Sequence, residues 1–165
     1  MHIISDRPQS SRLAHVLLRV PVPWVFVLTY LVGVAVERVF RPGNLFRDYR
    51  WLTPLGLVIF IVGALVAAWG WILFYRARTT RVPGEDSSTL VAGGPYRWTR
   101  NPMYVGLAVA YIGEAAILHQ IVPILLLPLT ITYLNRVVIP VEEERLRAVF
   151  GTKYEQYQKQ VPRWF

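Results

Sequence analysis

Cysteine is absent from the 165 residues, which excludes disulfides, thiolate metal sites and cysteine nucleophiles and leaves the redox compartment open. Charge is scarce as well: 17% of the chain is Asp, Glu, Lys or Arg, while 54% is apolar. With a mean hydropathy of +0.36, that balance suits a membrane protein better than a soluble one. The few histidines, His2, His15 and His119, are scattered, and no pair has metal-ligand spacing, so no metal is expected. There is no glycine-rich dinucleotide fingerprint after a strand, no phosphate loop and no nucleophile elbow. The first twenty residues carry Asp6, Arg7, Arg12 and Arg19 and lack the apolar core and cleavage site of a signal peptide. Insertion is therefore expected to use the first true span. No internal repeat or low-complexity segment is present.

What charge there is leans positive, with 18 basic residues against 10 acidic and a net +8. The arginines lie at the ends of apolar blocks rather than along one polar face. That placement favours anionic lipid or an anionic ligand over nucleic acid.

Four apolar blocks follow a short start, residues 11–20, that reads either as a surface helix or as a flexible terminus. Residues 23–40 form the first span candidate, nearly uncharged until Glu37 and Arg38. Residues 52–75 form the second, about 36 Å long as a helix and ample for a hydrocarbon core of about 30 Å. Its Gly56, Gly63, Ala64, Ala67 and Gly70 allow close helix packing, although glycine is also common on lipid-facing positions. Residues 103–118 make a third helix of only about 24 Å, and residues 121–139, with Pro123 and Pro128, return as its hairpin partner. Beyond Pro140 an amphipathic helix is expected over residues 142–150, with Leu146, Val149 and Phe150 on one face and Gly151 closing it. Four spans bring both termini to one side. Thirteen basic residues then fall on the terminal side and four on the other, with Arg136 inside the last span, which favours N-in, C-in.

The polar island GGPYRWTRNPMY, residues 93–104, lies between the second and third blocks. Asn101 is a favoured N-cap and Pro102 suits the first helical position, so the helix start is expected to turn free amides and its positive dipole end toward the island. Arg97 and Arg100 add full charges there. An interfacial loop with Tyr96, Trp98 and Tyr104 in an aromatic belt fits the same residues. Glu142, Glu143 and Glu144 follow the last span, so they stand at the same face, able to accept from ribose hydroxyls or to neutralise Arg97 and Arg100. Arg136 and Asn135 lie inside the fourth block, either facing a partner or cavity or, for Arg136, snorkelling to the interface. Glu114, about 20 Å along the third helix from Asn101, belongs to the opposite face and reads as interfacial or structural.

The island together with Glu142, Glu143, Leu146, Phe150, Gly151, Tyr154, Tyr157, Val161, Pro162 and Arg163 resembles the membrane-bound isoprenylcysteine carboxyl methyltransferase family and its phospholipid-methyltransferase relatives. The likeness covers roughly the last half of the chain, from Ser88 onward. It implies an all-α integral membrane fold of about four transmembrane helices, a short helical hairpin among them, with a C-terminal cytoplasmic helical segment completing a pocket for S-adenosylmethionine. It implies a single membrane methyltransferase domain over residues 1–165, with spans and connector in 1–92 and the cofactor-binding core and tail in 93–165. Carried over, it implies cofactor contacts from Ser88, Thr89, Leu90, Val91, Tyr96, Asn101, Pro102, Met103, Tyr104, Glu142 and Glu143. Two departures stand out: Asn101 occupies a position where many members have histidine, and Val138 occupies that of a substrate-binding arginine. A histidine base is thus unavailable at 101, and only the nearby Arg136 could replace the arginine.

The expected activity is methyl transfer from S-adenosylmethionine to a lipophilic acceptor, the carboxylate of a prenylated cysteine or a similar lipid, with Arg100 and Arg136 orienting it. The expected surroundings are membrane lipid and not nucleic acid. The active site and both termini should be cytoplasmic, in the cytoplasmic membrane if the source is prokaryotic. Two rivals remain. A membrane reductase of the sterol-reductase type would use NADPH, and a non-catalytic member would bind lipid or a partner.

Overall fold

The computed structural model describes residues 21–40, 49–79 and 90–165, and every regular element among them is helical. The helices are α1 (Val22–Phe40), α2 (Leu52–Thr79), α3 (Pro102–Ile117), α4 (Val122–Tyr133), α5 (Ile139–Phe150) and α6 (Thr152–Gln160). A 3-10 turn over Gly94–Arg97 precedes α3, and a π turn over Leu134–Val138 joins α4 to α5. Three helical stretches are long and apolar enough to cross a membrane: Val22–Phe40, Leu52–Ala77 and the fused Val122–Phe150. Pro102–Ile117 is a shorter apolar helix. At 16 residues it reaches about 24 Å, short of a hydrocarbon core of about 30 Å.

The closest packing is between α2 and α3, which run antiparallel, and glycine makes it possible. A Cβ on Gly56 would lie 2.8 Å from the Gly113 carbonyl, and one on Gly63 would collide with the Ala110 nitrogen. Gly106 meets Ala67 and Gly63, Gly113 meets Phe60 and Gly56, and Gly70 lies over Pro102 and Met103. Glycines seven residues apart on each helix thus face each other and let the backbones touch. In lipid, where burying apolar surface gives little drive for helices to associate, such contact supplies dispersion energy instead. The small residues of α2 therefore pack inward, while its Leu57, Val58, Ile61, Leu65 and Ile72 face outward.

A second core joins α1 to the α3–α4 hairpin through Phe26, Tyr30, Tyr111, Ala115 and Leu127. Tyr30 Oη donates to Gln120 Oε1 at 2.8 Å, and the Glu37 carboxylate accepts from the Ile121 and Val122 amides at the start of α4. Glu37, Gln120 and the α4 start thus mark one end of the bundle. The island and the last residues mark the other.

The helix does not stop at Pro140, as the sequence led one to expect at residue 139. It continues to Phe150 by widening, with the Ile139 amide reaching the Leu134 carbonyl. Proline at 140 has no N–H to give and its ring crowds the carbonyl four residues back, so a wider turn absorbs the strain without a break. The second span is longer than expected too, running past Tyr75 to Thr79.

Candidate functional site

The island is held from both flanks. Tyr96 Oη donates to the Gly70 carbonyl at 3.3 Å, anchoring the 3-10 turn on α2. Gly94 makes that turn possible with φ +59, and its missing side chain leaves room for Leu73 and Trp69. From the other flank, the segment after α6 straps across the island. The Arg100 amide donates to the Pro162 carbonyl at 2.9 Å, while Thr99 Oγ1 and Asn101 Nδ2 both donate to the Arg163 carbonyl, at 3.0 and 2.9 Å. Trp164 Nε1 then donates to Asn135 Oδ1 at 2.7 Å, tying the strap to the π turn. Under it, Tyr154, Tyr157 and Val161 form a small core with Leu90, Leu146 and Phe150, and Tyr157 Oη donates to the Tyr96 carbonyl.

Two neighbouring carboxylates are used in different ways. Glu143 is buried and sits between two cations: Arg100 Nη1 lies 2.9 Å from Oε1, and Arg163 grips both oxygens at 3.1 and 2.7 Å. Glu142 instead accepts from Tyr104 Oη at 2.6 Å. Both help line a cavity of about 250 Å³, together with Tyr96, Arg100, Asn101, Pro102, Met103, Tyr104, Phe74, Arg145, Leu146 and Tyr154. Burial, with the Glu142 charge nearby, pushes the Tyr96 phenol up to about 12. Burial likewise raises Tyr154 and Tyr157, so these phenols stay neutral and are not bases: Tyr96 and Tyr157 donate, and Tyr96 and Tyr154 line the cavity. The Arg163 guanidinium is pushed above its usual range by its hydrogen bonds to Glu143.

Most residues singled out in the sequence meet in this cavity, but not all. Leu90 packs in the small core behind the island, and Val91, next to it, is half-buried; neither is in the cavity wall. Ser88 and Thr89 lie outside the described residues. Arg136 is exposed on the π turn and takes no part in the lining. Arg97 is exposed and, among the described residues, makes no ion pair with Glu142, Glu143 or Glu144. The N-cap expectation for Asn101 needs correction: its side chain makes no cap bond and reaches the strap instead. The amides of Tyr104 and Val105 are spent on the Asn101 carbonyl, so the helix start offers fewer free donors than expected.

Phe74, Arg145, Leu146 and Tyr154 complete the wall and were not singled out as ligands. Leu146 and Tyr154 had a signal in the tail motif. Arg145 had one in its spacing, three residues after Glu142 and so on the same helical face. Phe74, near the far end of a lipid-facing helix, had none.

The family described as phospholipid methyltransferase matches residues 51–153. "Protein-S-isoprenylcysteine O-methyltransferase B" of Arabidopsis thaliana is 27% identical over 142 residues, covering 83% of this chain and 71% of the relative. "Protein-S-isoprenylcysteine O-methyltransferase" of Rattus norvegicus is 29% identical over 163 residues, covering 95% of this chain and 56% of the relative. "Cobalt-zinc-cadmium resistance protein CzcN" of Cupriavidus metallidurans is 28% identical over 144 residues, covering 86% of this chain and 61% of the relative. The chain thus spans less than two thirds of the length of the last two. Since the family match takes in more than half of the chain, including α2, the island, the glutamates and the start of α6, the protein belongs to the phospholipid methyltransferase family and is a membrane-bound methyltransferase.

Proposed function

We propose that the protein transfers a methyl group from S-adenosylmethionine to the carboxylate of a prenylated cysteine, or a similar lipophilic acid, at the cytoplasmic membrane face. The observation that carries this reading is the cavity itself. In about 250 Å³ it gathers a carboxylate held by a phenol, a buried guanidinium and several aromatic faces. The volume lies just under the roughly 300–1,000 Å³ usual for small-molecule sites.

The donor set fits the cofactor. Arg100 Nε and Nη1 are buried without an aligned hydrogen bond, although Nη1 lies 2.9 Å from Glu143, so the guanidinium has donors left for a carboxylate. Glu142 has an acceptor oxygen to spare for ribose hydroxyls. Tyr96, Tyr104, Phe74 and Tyr154 present faces suited to a sulfonium, a contact of order 1 kcal/mol or more when desolvated. When bound, S-adenosylmethionine supplies an already activated methyl, whose S–C bond breaks as a carboxylate oxygen forms the new O–C bond, leaving a neutral thioether and no proton to move. The chain's own work is then to bind, orient and exclude water. The lack of a histidine at 101 fits this: an anionic acceptor needs no base. The relatives named for isoprenylcysteine O-methylation support the choice of acceptor.

The test uses purified protein in lipid nanodiscs. S-adenosylmethionine should raise the melting temperature while NADPH does not, and labelled methyl should pass to N-acetyl-S-farnesylcysteine as a base-labile ester. A shift with NADPH alone would favour a reductase. Binding without transfer to any component of a native membrane extract would favour a non-catalytic role.

A further inference from the structure

The arginines around the cavity are not equivalent. Arg100 is held at Glu143, with its side chain 13% exposed. Arg163 is spent on the same carboxylate and on strapping the island. Arg136 lies outside the wall, and Arg147 reaches across to Gln158. Arg145 alone lines the cavity, is exposed to incoming ligand, and has neither an ion pair nor a hydrogen bond among the described residues. It stands three residues after Glu142, one helical step along the same face.

From this placement we infer that Arg145 is the specificity-determining residue that receives the anionic group of the methyl acceptor at the exposed part of the cavity wall. The inference rests on the methyl-transfer reading above and deepens it. Glu142 places a negative charge in the wall, and Glu143 is already balanced by two cations. A carboxylate acceptor in such a site meets repulsion from Glu142 unless a free cation stands in the same wall. Arg145 is that cation, and its planar guanidinium can take both carboxylate oxygens. Its charge also offsets that of Glu142, one helical step away.

The experiment measures S-adenosylmethionine binding by calorimetry, and kcat and KM for N-acetyl-S-farnesylcysteine, in the native protein, Arg145→Gln, Arg145→Lys and the control Arg147→Gln. Loss of a charge-assisted pair should raise the acceptor KM of Arg145→Gln about 10-fold or more. Cofactor affinity and kcat should change little. Arg145→Lys should recover part of the loss, and Arg147→Gln should behave as native. An unchanged KM in Arg145→Gln, with transfer intact, overturns the assignment and leaves methyl transfer standing. Weaker cofactor binding at an unchanged acceptor KM overturns it in favour of the cofactor's own carboxylate. Absence of transfer by the native protein overturns both.

Discussion

Two adjacent glutamates divide the labour of the site. Glu143 is buried between Arg100 and Arg163, so its removal leaves one well-buried guanidinium without a counter-charge. Breaking a buried pair from one side typically costs about 3–5 kcal/mol. Glu143→Gln should therefore lower the melting temperature in nanodiscs markedly, and a near-native melting curve would contradict the clamp. Glu142 hydrogen-bonds only to Tyr104 among the described residues and faces the cavity. Glu142→Gln should melt close to native yet bind S-adenosylmethionine about 10-fold more weakly, since a charge-assisted hydrogen bond is worth about 1.5–3 kcal/mol. The sequence placed both glutamates at the same end as the island, and they line one cavity with it. It could not separate them, because which cation each meets depends on a strap some twenty residues further along.

Asn101 makes the same point. Read as a cap, it would act on its own helix. In the fold its amide donates to the Arg163 carbonyl, so it belongs to the strap. A histidine, which the resemblance places there in many members, can donate to that same carbonyl. Asn101→His should thus keep cofactor binding, whereas Asn101→Ala should lose about 1 kcal/mol of stability and part of the binding, both read by thermal shift with and without S-adenosylmethionine. Equal loss in both variants would show that asparagine acts through something other than donation.

At the scale of elements, the α2–α3 contact is where sequence signals were clearest and least specific. Gly56, Gly63 and Gly70 stand seven residues apart, as do Gly106 and Gly113. That spacing is visible in the chain, but glycine is frequent in membrane helices whichever way it faces, and the partner register is a long-range fact. Packed in register, Gly56, Gly63, Gly106 and Gly113 leave no room for a Cβ, and the clashing atoms at Gly63 and Gly106 are backbone, which cannot swing aside. Gly63→Leu and Gly106→Ile should each cost well over the ~1–3 kcal/mol of ordinary overpacking and yield little monodisperse protein on size exclusion. Gly93, with φ -96 and nothing within 4 Å of where a Cβ would sit, is the matched control; Gly93→Ala should behave as native. The π turn was the opposite case. Pro140 signalled a stop, yet proline only removes one donor and crowds one carbonyl, and a helix pinned by Trp164–Asn135 can widen instead of ending.

For the whole molecule, the geometry separates two ends. Glu37 at the start of α4 and Thr53 beside His119, 3.5 Å apart, lie at one end; the island, Glu142 and α6 lie at the other. This arrangement makes sidedness testable from charge. Arg38 and Arg50 belong to the sparsely basic end, whereas the island and the tail carry Arg97, Arg100, Arg145, Arg147, Lys153, Lys159 and Arg163. Basic residues near span ends are retained on the cytoplasmic side, so the site end should face the cytoplasm. The absence of cysteine gives a clean background for the measurement. Lys153→Cys on α6 and Arg38→Cys on α1, both at exposed positions, each introduce a single thiol. In intact cells a membrane-impermeant maleimide should label Arg38→Cys directly and Lys153→Cys only after permeabilisation. The reverse pattern would put the site outside, and labelling of both from one side would mean that α2, α3 and α4 together cross an even number of times, so that the short α3 fails to span and the cavity loses the frame that sets it at the interface.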